Sequence, residues 1–485
     1  MPRPPTTGSS AMDNLDVLIV GGGSAGCALA GRLAERTTLR IALVEAGPDY
    51  GPRSSGRWPA DVVDAHHSPD SHDWGYEQSR ARILGGCSAH NECAIVRALP
   101  RDYDRWAVQG WSDGDLAPVV ADVARALPAH VAAEDDLAAW QRAFLDSALA
   151  AGFRRLPHAD AEPGEPGVAP FVQNIRDGIR WNAGFAFLDA VRSRVAVTGD
   201  ILADRLVIDG ERARALVVRG PEGERELRAE RFVLAAGVYG SPAILLRSGV
   251  GPAEELSALG VPVKVDLPGV GANLHDHPGV AIEYEPTAPA LRAVKADEGA
   301  GRFYEAQIVL RTAPDLHVVP YQAADGEGGW SFGIITFHLD PRSRGRMRLT
   351  SRDPGVAPAI DLGLLSDRAR HDLGALVEGL RVMHDVTRRS PIADAIRRGP
   401  RRFTARRQLE RYVRGNVSSY EHSVGTCRMG ASPEAGDVVD ARGRLHGLAN
   451  VYIADASIVP RIPRANTNLT CSVVGARVAD FLRSG

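Results

Sequence analysis

Read for the spacing of its apolar positions, the chain begins its order as a buried strand followed at once by a helix. Leu15-Asp16-Val17-Leu18-Ile19-Val20 is a short apolar run that ends in glycines, the pattern of a parallel strand covered on both faces. Ala25, Leu29 and Leu33 then share one helical face, and Arg40-Ile41-Ala42-Leu43-Val44-Glu45 reads as a second buried strand, which completes a βαβ unit. From Asp49 to Asp73 the chain is rich in Pro, Gly, Ser, His and Asp, which predicts a long surface excursion. Helical spacing returns over 116–127 and 137–151, and the Pro and Gly of 155–170 predict a crossover between two lobes. Residues 195–234 read as β-rich. Residues 279–350 alternate apolar and polar positions, as in an antiparallel sheet with one covered face. A strand at 451–455 and a helix at 469–482 close the chain, and there is no internal repeat.

Length and charge narrow the classes. At 485 residues the chain is roughly two to three times a common domain size, so several parts sharing substantial cores are expected. Its formal net charge of -3, from 57 Lys+Arg and 60 Asp+Glu spread along the chain, leaves no basic run for a phosphate backbone, and nucleic acid is not an expected partner. Cys27, Cys87, Cys93, Cys427 and Cys471 are odd in number and irregularly spaced, which argues against a disulfide framework and for a reducing compartment. No apolar run reaches the ~18–20 residues of a membrane span, and residues 1–12 read as a disordered tail without the apolar stretch of a signal peptide. The expectation is a soluble, cytoplasmic protein.

Candidate chemistry starts at Gly21-Gly22-Gly23-Ser24-Ala25-Gly26. This is a GxGxxG turn between strand and helix, with an acid, Glu45, at the end of the next strand: the arrangement that seats a pyrophosphate on a helix N-terminus and a ribose on a carboxylate. The same residues also spell GxSxG, a nucleophile elbow with Ser24 as nucleophile, although such an elbow needs earlier strands and an oxyanion loop before it. His275 and His277 have no third ligand at helical or hairpin spacing, so no metal site is expected and both read as structural.

Further motifs follow in order. They are Arg82-Ile83-Leu84-Gly85-Gly86-Cys87-Ser88-Ala89-His90-Asn91, Gly240-Ser241-Pro242 through Gly251-Pro252, Gly269 through Pro278, His422-Ser423-Val424-Gly425-Thr426-Cys427-Arg428-Met429-Gly430, Asp455-Ala456-Ser457 and Asn466-Thr467-Asn468. Together they resemble the glucose-methanol-choline (GMC) oxidoreductases over nearly the whole chain, and are similar above all to the choline oxidase branch. The resemblance implies an α/β fold: a discontinuous Rossmann-type FAD-binding domain (13–155, 195–285, 416–485) plus an α+β substrate domain (156–194, 286–415) that lays an antiparallel sheet over the flavin.

By the same resemblance, Gly21, Gly23, Ser24, Ala25, Gly26, Glu45 and Ala46 hold the ADP half of FAD, and Ala203 and Ala236 lie along it. Gly86, His90 and Asn91 line the ribityl and flavin side, and Asp455, Ala456, Asn466 and Asn468 complete the cradle. His90 matches the histidine that bonds covalently to the flavin in the choline oxidase branch; an unlinked histidine at the flavin edge is the alternative. His422 is implied as the base and Asn466 as its hydrogen-bonding partner toward the substrate oxygen, where some members carry a second histidine. Glu305, next to Tyr304, falls where choline oxidase sets a carboxylate against an ammonium, which points to an amino alcohol or amino sugar. The implied partners are a small-molecule alcohol and oxygen or another electron acceptor, with no membrane partner and a homodimer as the assembly allowed for. A flavin-containing lyase that cleaves cyanohydrins on the same scaffold is the competing function. Against the family pattern, Cys87 replaces the commonest serine and Ala98 a usual glycine.

Overall fold

The computed structural model describes residues 14–66, 68–69, 71–302, 306–313, 315–324, 330–400 and 405–483. The sequence expectations for residues 1–12, Tyr304 and Glu305 lie outside these. In chain order, the elements that position the site are β1 (Leu15–Val20), α1 (Ser24–Arg36), β2 (Ile41–Val44), α2 (Asp113–Ala126), α3 (Ala139–Ala150), β3 (Gly167–Pro170), β4 (Val195–Thr198), β5 (Leu202–Asp209), β6 (Arg212–Gly220), β7 (Gly223–Leu227), β8 (Ala229–Leu234) and α4 (Gly237–Arg247). They continue with β9 (Pro278–Pro286), α5 (Ala288–Gly299), β10 (Ile308–Thr312), β11 (Leu316–Ala324), β12 (Trp330–His338), α6 (His371–Val386), β13 (Ile396–Arg398), α7 (Arg406–Asn416), β14 (Val417–Ser419), β15 (Val451–Ile453) and α8 (Thr467–Arg483).

The first layer is a five-stranded sheet in the order β15-β8-β1-β2-β4, with every pairing parallel. β1 lies at its centre, which is why Val17, Leu18 and Ile19 are fully buried with no polar alternation. Helices α1 and α8 lie against one another, and Gly475 makes that closeness possible: a Cβ there would stand 2.1 Å from the carbonyl oxygen of Ala25. The strands β5, β6 and β7 form a separate three-stranded antiparallel sheet beside this layer.

A seven-stranded sheet in the order β13-β9-β12-β11-β10-β3, with β14 also paired to β9, forms the second lobe. Its alternation sends Ile282, Leu310, Val318 and Ile334 into a core with α3 and α6, while Val309, Val319 and Phe337 point into the core shared with the nucleotide layer. Buried Gln141 ties α3 to this sheet: its amide donates to the Pro320 carbonyl at 2.9 Å and its Oε1 accepts from Gln307 and Ile308 N–H.

Two details differ from the periodic reading. The stretch 279–350 is interrupted by the helix α5, whose Leu291 and Val294, three residues apart, pack onto the second core. The Pro- and Gly-rich crossover contains β3, which pairs with β10 at the sheet edge.

Candidate active site

At the C-terminal end of β1 the chain turns through Gly21, whose φ of +105° and closeness to the Ala235 carbonyl (2.4 Å from an added Cβ) both require glycine. Gly26 sits against the Gly21 carbonyl, 2.0 Å from where its Cβ would stand, so α1 starts tight under the turn. No side chain caps α1, which leaves its first N–H groups for an anion. Beneath the turn, Glu45 accepts from Gly22 N–H at 2.7 Å and from Gly47 N–H at 2.9 Å. Burial raises its carboxyl to about 7, against the pull of these two N–H groups. Ala46 follows Glu45, and Ala236 lies against Gly21 just past β8.

The segment carrying His90 folds over this turn. Gly85 N–H donates to the Gly22 carbonyl at 2.7 Å, and an added Cβ on Gly86 would stand 2.6 Å from Gly23 Cα. Gly23 meets nothing nearer than 3.8 Å in the same test, so a lined space remains above it. Asn468, in the first turn of α8, accepts the Ser24 hydroxyl at 2.8 Å, bringing a third segment to the same place. Asn91 spends its Oδ1 on Cys93 N–H and its carbonyl on Arg180. The carboxylate of Asp455 accepts from Gly237 N–H and from both the N–H and hydroxyl of Ser457, with Ser241 as a further donor, so it braces the start of α4. Ala456 accepts Gly425 N–H through its carbonyl, and Ala203 lies buried in β5.

His422 is held by a second set of segments. The carboxylate of Asp276 accepts its N–H at 3.0 Å, the N–H of His277 at 2.7 Å and the hydroxyls of Ser419 and Ser423. Glu421, immediately before His422, holds a left-handed φ of 62° and is tied to Arg80 at 2.7 Å. The ring of His422 then makes two contacts, Nδ1 with His277 Nδ1 at 3.0 Å and Nε2 with Asn466 Nδ2 at 3.3 Å.

These contacts determine the tautomers. The Pro463 carbonyl, 3.1 Å from His277 Nε2, can only accept, so His277 carries its proton there and turns a lone pair toward His422. His422 therefore donates from Nδ1 and keeps its Nε2 lone pair free of a proton. Burial, then the nearby His317 and Arg80, push His422 down to about 3, and burial likewise holds His277 well below the ordinary imidazole range. Tyr420 flanks the His422 ring at 4.1 Å between centroids and stacks on Phe337 at 3.5 Å.

Motif reading placed His422, Asn466, Gly86 and His90 in one cleft region but treated His277 as structural. The structure instead ties the His277 ring to His422, while His275 is satisfied by Asn273 and Ile462. His317, Tyr420, Phe337 and Asp276 were also missed. Asp276 lies inside the Gly269–Pro278 motif without having been singled out; the other three carry no motif, and only the period-2 pattern of β11 and β12 could have put His317 and Phe337 on one sheet face.

The residues fit FAD by two independent observations. Uncapped α1 with the space over Gly23 suits a pyrophosphate. Buried polar atoms without partners line the far side: both ring nitrogens of His90 and Oδ1 of Asn466. The Ser24 hydroxyl donates to Asn468, an arrangement without the histidine base that a nucleophilic serine needs.

Comparison with known proteins agrees with this geometry. Residues 15–279 and 341–475 match the two parts of the family described as GMC oxidoreductase. The chain is 32% identical to 5-(hydroxymethyl)furfural oxidase of Methylovorus sp. (strain MP688), covering 96% of this chain and 98% of that one. It is 29% identical to choline oxidase of Arthrobacter globiformis, covering 97% and 94%. Among solved structures, pyridoxine 4-oxidase from Mesorbium loti superposes with a TM-score of 0.85 at 27% identity, over 97% of this chain and 100% of that one. Among the described residues no helix is long and apolar enough to cross a membrane. With both family parts matched and the dinucleotide turn and histidine cleft in place, the chain belongs to the GMC oxidoreductases, FAD-dependent enzymes that oxidise the CH–OH group of alcohols.

Proposed function

We propose that His422 takes the hydroxyl proton of a small alcohol at Nε2 while Asn466 hydrogen-bonds the substrate oxygen as it gains alkoxide character, yielding an aldehyde or ketone. FAD, when bound, supplies the acceptor for the hydride that leaves the carbon. The observation that carries this reading is the chain from the Pro463 carbonyl through His277 to His422, which leaves an unprotonated Nε2 facing Asn466. Asn466 is no alternative base, because an amide does not take a proton at neutral pH. Asp276 positions both imidazoles through their backbone N–H groups.

For the cofactor, Gly21, Gly23, Ser24, Ala25 and Gly26 would hold the pyrophosphate end and Glu45 with Ala46 the ribose, next to Ala203 and Ala236. Gly86, His90 and Asn91 would take the flavin side. Asp455, Ala456 and Asn468 would take the remainder; the carboxylate of Asp455 is occupied, so its main chain is the part available. Within the alcohols we assign a substrate with a cationic or aromatic group, such as an amino alcohol or amino sugar. Support comes from relatives whose names give a choline and a pyridoxine substrate. Oxygen is the reading for the acceptor, supported by relatives that are named oxidases.

The test is anaerobic mixing of the yellow enzyme with amino alcohols, amino sugars, plain sugars and aryl alcohols, then admission of air. Bleaching followed by rapid recolouring is expected for the right class. Product formed without bleaching would mean a lyase and overturn the assignment. His422→Ala should slow bleaching roughly a hundredfold or more, and an unchanged rate would remove His422 as base. Colour that stays with the precipitated polypeptide supports a His90 linkage, whereas colour released excludes it.

A further inference from the structure

The end of β12 meets the first turn of α6 at three side chains that the alcohol chemistry does not use. His338 is 1% exposed, and among the described residues neither of its ring nitrogens has a hydrogen-bond partner. Its Nε2 lies 3.6 Å from Oδ1 of Asp372, and Nδ1 of His371 lies 3.1 Å from that same oxygen. The three ligand atoms all fall within 4.8 Å of one another.

The charges suit a cation. Burial lowers the basicity of His338, which therefore presents a neutral imidazole. For Asp372 burial works the other way, but hydrogen bonds from Ser343 and the Arg342 backbone outweigh it and hold the carboxyl below its usual range. Arg342 and Ser343 N–H also fix that carboxylate, at 3.0 and 2.9 Å. Two imidazole nitrogens thus converge on one anchored carboxylate oxygen. Between Nδ1 of His371 and Oδ1 of Asp372 either a proton or an ion must lie, since two facing lone pairs repel. A buried imidazole with nothing to bind is destabilising, and a hydrogen bond between His371 and Asp372 alone would leave that cost in place.

The geometry points to a structural site for a zinc-type divalent cation, held by His338 Nε2, His371 Nδ1 and Asp372 Oδ1 and completed by water. Ligands at about 2.0–2.2 Å from a tetrahedral ion stand roughly 3.2–3.5 Å apart, so the separations of 3.1 and 3.6 Å need little adjustment. The half-buried His371 leaves a path for the ion and its water. An ion here pins β12 to α6 on the strand face opposite Phe337, whose ring stacks on Tyr420 beside His422, so its work is to stiffen the lobe that shapes the alcohol pocket. Adjacent His371 and Asp372 stand far in sequence from His338, which is why ligand spacing along the chain did not reveal the set.

The experiment uses the FAD-loaded enzyme stripped with a chelator and titrated with zinc sulfate, read by metal content after gel filtration and by thermal unfolding. One zinc per chain and a rise of a few degrees in Tm are expected. His371→Ala and His338→Gln should each weaken binding at least tenfold while flavin content stays at the wild-type level. His446→Ala, at a histidine outside the cluster, should retain the full zinc. Less than one zinc per several chains, or zinc retained by either cluster variant, would overturn the site.

Discussion

The glycine turn and Glu45 at the nucleotide end come from one βαβ unit that starts at Leu15, whereas His277, His422 and Asn466 meet from three separate segments. The two ends also depend on different physics. The nucleotide end is a steric construction: glycine hydrogens stand where any Cβ would meet backbone oxygen. The alcohol end is a chain of hydrogen bonds in which each group sets the protonation of the next. Backbone collisions cannot be relieved by rotamer changes, but a hydrogen-bond chain can be shortened one member at a time. Substitution should therefore abolish the first and grade the second.

The largest effect is expected at Gly26→Ala. The new methyl would stand 2.0 Å from the Gly21 carbonyl oxygen, so the purified protein should lose its yellow colour, and a variant with full flavin absorbance would show that the turn can relax. At the other end, His277→Ala should keep its flavin but reduce it roughly ten- to a hundredfold more slowly, because His422 loses the acceptor that holds its proton on Nδ1. Anaerobic stopped-flow measures this, and a wild-type rate would mean that His422 orients itself.

The next effect belongs to Glu45. With a carboxyl raised to about 7, the ionised form that can accept ribose hydroxyls dominates only above that pH. The Kd of the stripped protein for FAD should accordingly rise up to about tenfold per unit as pH falls below 7. Affinity unchanged from pH 8 to 6 would unlink Glu45 from the cofactor. The smallest effect is an expected constancy. His422, depressed to about 3, stays unprotonated down to mildly acid pH, so its base function is present above that value and is lost only as pH falls through it. Flavin reduction should be flat from pH 8 to 5, and a limb near 6.5 would show an ordinary imidazole.

Much of the nucleotide layer could be read from the chain. The apolar run of β1, the glycine turn, α1 and β2 were each placed within a residue or two, because strand burial and glycine sterics act between near neighbours. The second lobe was read more coarsely. Its alternation indicated an antiparallel sheet but hid α5, which occupies the same stretch, and the Pro- and Gly-rich crossover concealed β3, whose partner β10 lies far along the chain. His422 and Asn466 were legible through their motifs. His277 sat in a motif too, yet its role depends on where the Pro463 carbonyl and the His422 ring arrive.

By itself, then, the sequence determined the βαβ unit, the glycine turn with Glu45 beneath it, and the choice of His422 and Asn466 as the candidate pair, whose ring and amide the fold brings within 3.3 Å of each other. Only the tertiary structure decided that His277 turns a lone pair to His422, that Tyr420 stacks on Phe337, and that His338 stands unpartnered beside His371 and Asp372. The reason is range. Backbone sterics and side-chain period are set within a few residues, while the protonation of a buried imidazole is set by whichever groups the folded chain brings within about 3 Å of it.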